Sequence, residues 1–262
     1  MFPTHPKWAL AAMLALGSIL SAGWAHAATP APATSTGPIA SVWFIWPKDG
    51  QARPFEAALK AHAAWRKQNG EGFTWSIYQP VVGKDLGHYV IRSGDHTWQQ
   101  IDADERWERE RGAAEFDREA GRYVERAEHY FVKTDRDHSH WIQSNDYKYF
   151  GVYDFAVKPG GREGVEDAIA KVHAAVEAAK WPYPYEIATS IGGRGSLLIV
   201  EPMKSYADMA EPDPSLMDVL ARSLGSKESA KETMHRFDSG IENSMYTIYL
   251  YRPDLSTPSS GP

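Results

Sequence analysis

Two stretches decide how this chain folds: "SVWFIWPKDG" at Ser41–Gly50 and "GVYDFAVKPGG" at Gly151–Gly161. Each is a run of β-branched and aromatic residues that stops at a turn rich in proline or glycine, so each reads as a strand entering a turn. The elements beyond the turn are shared as well. The first stretch leads into the helix-patterned "ARPFEAALKAHAAWRKQ" and then the strand-like "FTWSIYQP" and "HYVIRS". The second leads into "REGVEDAIAKVHAAVEAAK", "YEIATSI" and "LLIVEP". Both passages continue through a polar helical region and close on a strand, "EHYFVK" and "MYTIYLYR" respectively. The order strand, helix, strand, strand, helix, strand thus occurs twice, with a period of about 110 residues.

That order is the ferredoxin-like βαββαβ unit, in which both helices cover one face of an antiparallel sheet. An isolated unit should therefore alternate apolar and polar residues along its strands. These strands do not: Val42, Phe44 and Trp46 share one face, Trp43 and Ile45 the other, and both sets are apolar. Leu197–Val200 repeats the pattern. Burying one large apolar side chain contributes roughly 1.5–3 kcal/mol, so the second face requires a cover, and the other repeat's sheet supplies it. The expected fold class is α+β: two ferredoxin-like βαββαβ repeats, residues 41–134 and 148–252, whose antiparallel sheets pack into one barrel-like body with helices outside. Residues 135–147 read as a polar connector.

From Ser41 to Arg252 the chain resembles, in element order and strand patterning, the dimeric α+β barrel superfamily in tandem form. That superfamily includes cofactor-free monooxygenases of the antibiotic-biosynthesis type, haem-degrading enzymes and chlorite dismutase-like haem proteins. The resemblance implies a ligand between sheet and helices or within the barrel, and haem as a conceivable cofactor, although nothing in the sequence requires one. Because the fusion supplies both sheets, a monomer is expected.

The N-terminus, "MFPTHPKWALAAMLALGSILSAGWAHAA", has a lysine-bearing start, an apolar run and the small-residue triplet Ala25–Ala27, the order of a secretory signal peptide over residues 1–27. A periplasmic or secreted address is the resulting expectation, with an uncut anchor as the rival and no stable membrane insertion once the leader is cut. Residues 28–40 read as a Pro/Ala/Thr-rich tether and 253–262 as a disordered tail. With 0 cysteines there is no thiol nucleophile and no thiolate metal site. A net charge of −6 with interspersed signs offers no basic stripe for nucleic acid.

Candidate site residues are polar groups inside otherwise apolar strands. Tyr153, Phe155 and Val157 form the helix-facing set, which turns Asp154 toward the barrel interior; Tyr185 and Ile187 do the same for Glu186 and Ser190. Ser76 and Tyr78 share a face, as do His88 and Arg92, and Tyr249 stands on the last strand. An unpaired buried carboxylate costs several kcal/mol, so Asp154 and Glu186 are paired, wet or poised for a ligand, with Arg92 as a partner. The function expected is binding of a small, partly apolar or aromatic molecule by Asp154, Glu186, Tyr78, His88, Arg92 and Tyr249. A cofactor-free oxygenase or haem enzyme is the alternative, and an interaction protein with a filled barrel is the third reading.

His62 and His173 occupy the same place in "KAHAAW" and "KVHAAV", on the buried stripe of each first helix. They are candidates for a haem ligand or base, set against two structural histidines shared by the repeats. Asp135, Asp137, His138 and His140 lie close in sequence but lack metal-motif spacing, so no metal is assigned. The charged run at residues 102–126 reads as a solvated helix face.

Overall fold

A computed structural model describes residues 36–193 and 195–257 of the 262-residue chain. The leader at 1–27, most of the tether, Arg194 and residues 258–262 lie outside the described residues. The first half contains β1 (Ile39–Pro47), α1 (Ala52–Gln68), β2 (Ser76–Val82), β3 (Tyr89–His96), α2 (Trp98–Trp107), α3 (Ala113–Glu119) and β4 (Val124–His140). The second contains β5 (Tyr149–Val157), α4 (Arg162–Ala179), β6 (Tyr185–Ile191), β7 (Leu197–Met203), α5 (Leu216–Leu224), α6 (Lys227–Gly240) and β8 (Ile241–Tyr251). The doubled βαββαβ order is therefore present, with the second helical region of each half split in two. In the first half a single π turn, Glu108–Gly112, joins the pieces.

The eight strands close into one barrel in the order β1-β3-β2-β8-β5-β7-β6-β4, and every pairing is antiparallel. Each half contributes a four-stranded sheet ordered last, first, third, second. The seams are β2 with β8 and β4 with β6, so each half's last strand pairs with the other half's second. Closure removes every exposed sheet edge, which is how a sheet with two apolar faces avoids aggregation.

Packing follows the strand parity. In the first half Ile45, Ile77, Tyr89 and Ile91 face outward onto Phe55 and Leu59 of α1. In the second, Phe155, Ile187, Leu197 and Ile199 meet Val165, Val176, Leu220 and Phe237 of the three helices. The opposite parity forms a third cluster inside the barrel: Ala40, Val42, Val90, Val132 and Ala188, with Phe44, Tyr78, Leu198 and Tyr249 packed against them. The barrel is filled at its waist.

Two boundaries differ from the sequence reading. β4 runs to His140, so Asp135–His140 belong to a strand and not to the connector. A strand that pairs with β1 as far as Lys133 and then with β6 as far as His140 must be long, and its far part borders solvent, hence its polar composition. Likewise Arg252–Thr257 are ordered: Leu255 is buried in the α1 cluster, and Ser256 and Thr257 accept the backbone N–H groups of Ile77 and Trp75. The charged run is only partly a solvated face, because Asp104 and Glu108 turn inward onto Arg66 of α1.

Candidate functional site

The interior polar residues separate into two groups on either side of the waist. Along the inward face of β3 the order is His88, just before the strand, then Val90, then Arg92. At ~3.3 Å per residue His88 and Arg92 are roughly 13 Å apart. They cannot serve one small ligand.

At the Arg92 end, the guanidinium lies 4.0 Å from the Glu186 carboxylate, and both are half-buried. Burial pushes the Glu186 carboxyl up, while Arg92 pulls it back. The Tyr78 hydroxyl is raised by burial, and its ring meets Phe150 edge-on and Tyr251 at a tilt. The sequence pairing of Arg92 with a buried carboxylate is therefore met by Glu186.

At the other end stands His88, 5 % exposed. Its ring lies 5.0 Å from Trp46, 5.5 Å from Phe44 and 6.0 Å from Tyr249, centroid to centroid. Nδ1 is 2.7 Å from the carbonyl oxygen of Asp85, an atom that can only accept, so Nδ1 carries the hydrogen. Nε2 then holds a lone pair. That nitrogen is buried and has no hydrogen-bond partner among the described residues. Burial lowers the pKa of His88, which keeps the ring neutral at pH 7 and the lone pair free.

Asp154 faces this same end: its charge helps raise the hydroxyls of Tyr249 and Tyr130. For Tyr249 burial is the larger cause and the value reaches about 12, so the phenol stays protonated at neutral pH. Tyr130 donates to Glu128 at 2.9 Å and packs edge-on against Phe44. Around the rim, Trp46 donates to the Asp85 carboxylate at 2.8 Å, and Arg126 lies over the Trp46 ring at 3.7 Å. The site thus joins a neutral imidazole acceptor, two phenols, an indole and a carboxylate. Chemically, these groups match a planar ligand that donates one hydrogen bond.

The inward direction of Asp154 was legible from strand parity, and so was the shared face of Phe44 and Trp46; His88 was read only as sharing a face with Arg92, and Tyr249 only as standing on the last strand. The part played by Asp85 was not legible. It depends on the hairpin backbone, where Asp85 takes a positive φ of 56°, and only a "DLG" turn hints at it.

His62 and His173 do not meet. His62 is 1 % exposed, packed between Trp65, Trp75 and Phe116, and neither ring nitrogen has a partner among the described residues. His173 holds the Tyr185 hydroxyl at 3.3 Å and touches the His138 ring edge-on. Aromatic rings surround His62 and leave no open face for a haem macrocycle, while His173 is half-buried at the edge of the α4–α6 core. Two surface cavities, of about 150 and 230 Å³, border neither ring and fall below the ~300–1,000 Å³ of ordinary small-molecule sites.

Two other clusters are structural. Glu71, Asp104 and Glu108 are close enough to share a cation, but Arg66 already stands among them. Asp135 and His138 pair with each other at 2.8 Å, whereas His140 bridges Glu177 and the Trp181 carbonyl, so that group is spread along β4.

No family model matches the chain, and no curated protein matches it in sequence. Solved structures match in shape. A proposed monooxygenase from Fusobacterium nucleatum superposes with a TM-score of 0.54 at 11 % identity, covering 82 % of this chain and 93 % of its own. One from Lactobacillus acidophilus gives 0.52 at 11 % identity, with 82 % and 94 % covered. A chlorite dismutase variant from Candidatus Nitrospira defluvii gives 0.51 at 10 % identity, with 83 % and 93 % covered. Identities this low speak for the fold alone. The chain has the fold of the dimeric α+β barrel proteins, with both sheets supplied by one polypeptide.

Proposed function

We propose that this protein binds a small, partly aromatic molecule at the His88 end of its barrel, through a hydrogen bond donated by the ligand to His88 Nε2. One observation carries the reading: a buried ring nitrogen with a fixed lone pair and no partner among the described residues. Leaving a buried acceptor unsatisfied costs about 1–3 kcal/mol, and a ligand hydroxyl or amine removes that cost. Phe44, Trp46 and Tyr249 supply the apolar contact. The rim is the β2–β3 hairpin, whose residues Val82–Gly87 are all exposed. A ligand enters by displacing that rim, the kind of loop movement common on binding.

Phenol and toluene, similar in shape but not in donor capacity, test the reading. Calorimetric titration should give saturable binding of phenol, at least tenfold weaker binding of toluene, and loss of the preference in His88→Phe. Equal binding of the two by the unaltered protein contradicts it and leaves a filled-barrel interaction protein.

A second reading is catalytic. The neighbours from Lactobacillus and Fusobacterium are proposed monooxygenases, and a neutral His88 could accept the proton of a bound hydroxyl as a cofactor-free oxygenase would require. Haem stays the cofactor alternative: the rings packed around His62 disfavour that residue as its ligand, and a Soret band after haem addition is the check for His173. We also infer export through the leader at 1–27 and a monomeric state, to be checked by cell fractionation and light scattering.

A further inference from the structure

A second site candidate lies outside the barrel, on the outward face of the second sheet. There β7, β5 and β8 run side by side, with Glu201 opposite Gly151 and Tyr153 opposite Tyr246. Gly151 leaves a notch between its neighbours. A methyl group at that position would overlap the Tyr246 hydroxyl, so glycine is what allows the Tyr246 ring to lie across β5. The Tyr153 and Tyr246 rings are 4.3 Å apart, and next to them Tyr149 stacks on the exposed Tyr206 at 4.4 Å.

Glu201 borders this aromatic surface. It is half-buried, and its carboxylate has no hydrogen bond or ion pair among the described residues. Register sets it opposite Gly151, across which the Tyr246 ring lies, and its charge adds to burial in raising the Tyr153 and Tyr246 hydroxyls. Burial raises its pKa, as expected for a carboxylate that gives up water without gaining a partner.

The first half provides an internal comparison. By strand register Ser93, Ser41, Trp43 and His129 stand where Glu201, Gly151, Tyr153 and Tyr246 stand in the second. There the polar groups satisfy one another: Ser41 with His129 at 2.9 Å, and Ser93 with His96 at 2.8 Å. The second half replaces a satisfied serine by an acid with no hydrogen bond or ion pair among the described residues.

We propose that Glu201, Tyr153 and Tyr246 form a binding site for a small organic cation of the alkylammonium class. A partly desolvated carboxylate favours a counter-charge, and tyrosine rings attract cations while covering their alkyl groups. A bare metal ion suits the site poorly, since one carboxylate offers too few ligand atoms. An alkylammonium uses both the charge and the rings.

The test is a titration of the full chain with tetramethylammonium chloride at constant ionic strength, followed by NMR of the Tyr153 and Tyr246 ring protons, with tert-butanol as the neutral counterpart. Saturable shifts of both rings are expected, with binding at least tenfold weaker in Glu201→Gln, partly restored in Glu201→Asp and unchanged in His88→Phe. Melting of Glu201→Gln at or above the temperature of the unaltered protein, an independent readout, would confirm that the acid is no structural partner. Shifts that do not saturate, equal binding by Glu201→Gln, or tert-butanol binding as well as the cation would each overturn the proposal.

Discussion

His62 and His88 are both buried histidines, and their ring nitrogens distinguish them. Among the described residues, His88 has one nitrogen tied to Asp85 and the other without a partner inside an aromatic enclosure, whereas both His62 nitrogens lack partners among packed rings. Burial, helped by the Arg66 charge, pushes the pKa of His62 down to about 4 from 6.5. Between those values the unfolded chain takes up a proton that the folded chain refuses. Stability is therefore full above pH 6.5 and falls with acidification, by up to about 3 kcal/mol once pH drops below 4. His96, stacked on Phe73 and likewise held at about 4 by burial, adds a loss of the same sign. His62→Leu is expected to be neutral or stabilising at pH 7 and to flatten the decline between pH 6.5 and 4, as read by urea denaturation at a series of pH values. Unchanged acid sensitivity in that variant would show that His62 titrates normally.

At the scale of elements, the joint between α1, the following loop and α2 rests on Arg66. This residue is 4 % exposed, pairs with Glu71, Asp104 and Glu108, and lies between the Trp75 and Trp107 rings. Burial beside two further acids raises Asp104 to about 7, and Arg66 is the one cation paired with this cluster among the described residues. Arg66→Ala leaves acids without their counter-charge and should cost about 3–5 kcal/mol in chemical denaturation. Leu255→Ala, which empties a buried place in the α1 cluster, should cost about 2–5 kcal/mol, whereas a disordered tail would give no change. Both features escaped the sequence reading for physical reasons. Asp104 and Glu108 sit in a run of alternating charge where local spacing predicts only i to i+4 pairs, and their partner is 38 and 42 residues away. Residues 252–257 carry one apolar side chain among turn formers, and their order comes from hydrogen bonds that the N–H groups of Trp75 and Ile77, at the start of β2, donate to Thr257 and Ser256. The strand faces were legible because parity within a strand is local: Asp154, Glu186 and His88 each point where alternation puts them. Their division between two ends was missed: the four-residue spacing of His88 and Arg92 along β3 already separates those two, whereas the end that Asp154 and Glu186 join depends on register between strands, which no single strand encodes.

For the whole molecule, both seams join one half to the other, so neither half closes alone. Residues 36–143 and 144–257 expressed as two chains should associate into one barrel with a melting temperature below that of the intact protein; two separately folded monomers would contradict the pairing of β2 with β8 and β4 with β6. A filled waist confines ligand chemistry to the ends of the barrel and its outer surfaces, and the strongest chemical feature at either end is the lone pair of His88. The decisive measurement is the ¹⁵N spectrum of the His88 ring in the intact chain, with and without phenol. Free protein should show a neutral ring protonated at Nδ1 at pH 7, and phenol should move the Nε2 resonance in the direction of an accepted hydrogen bond. A ring protonated at Nε2, or a resonance indifferent to saturating phenol, would contradict the ligand site.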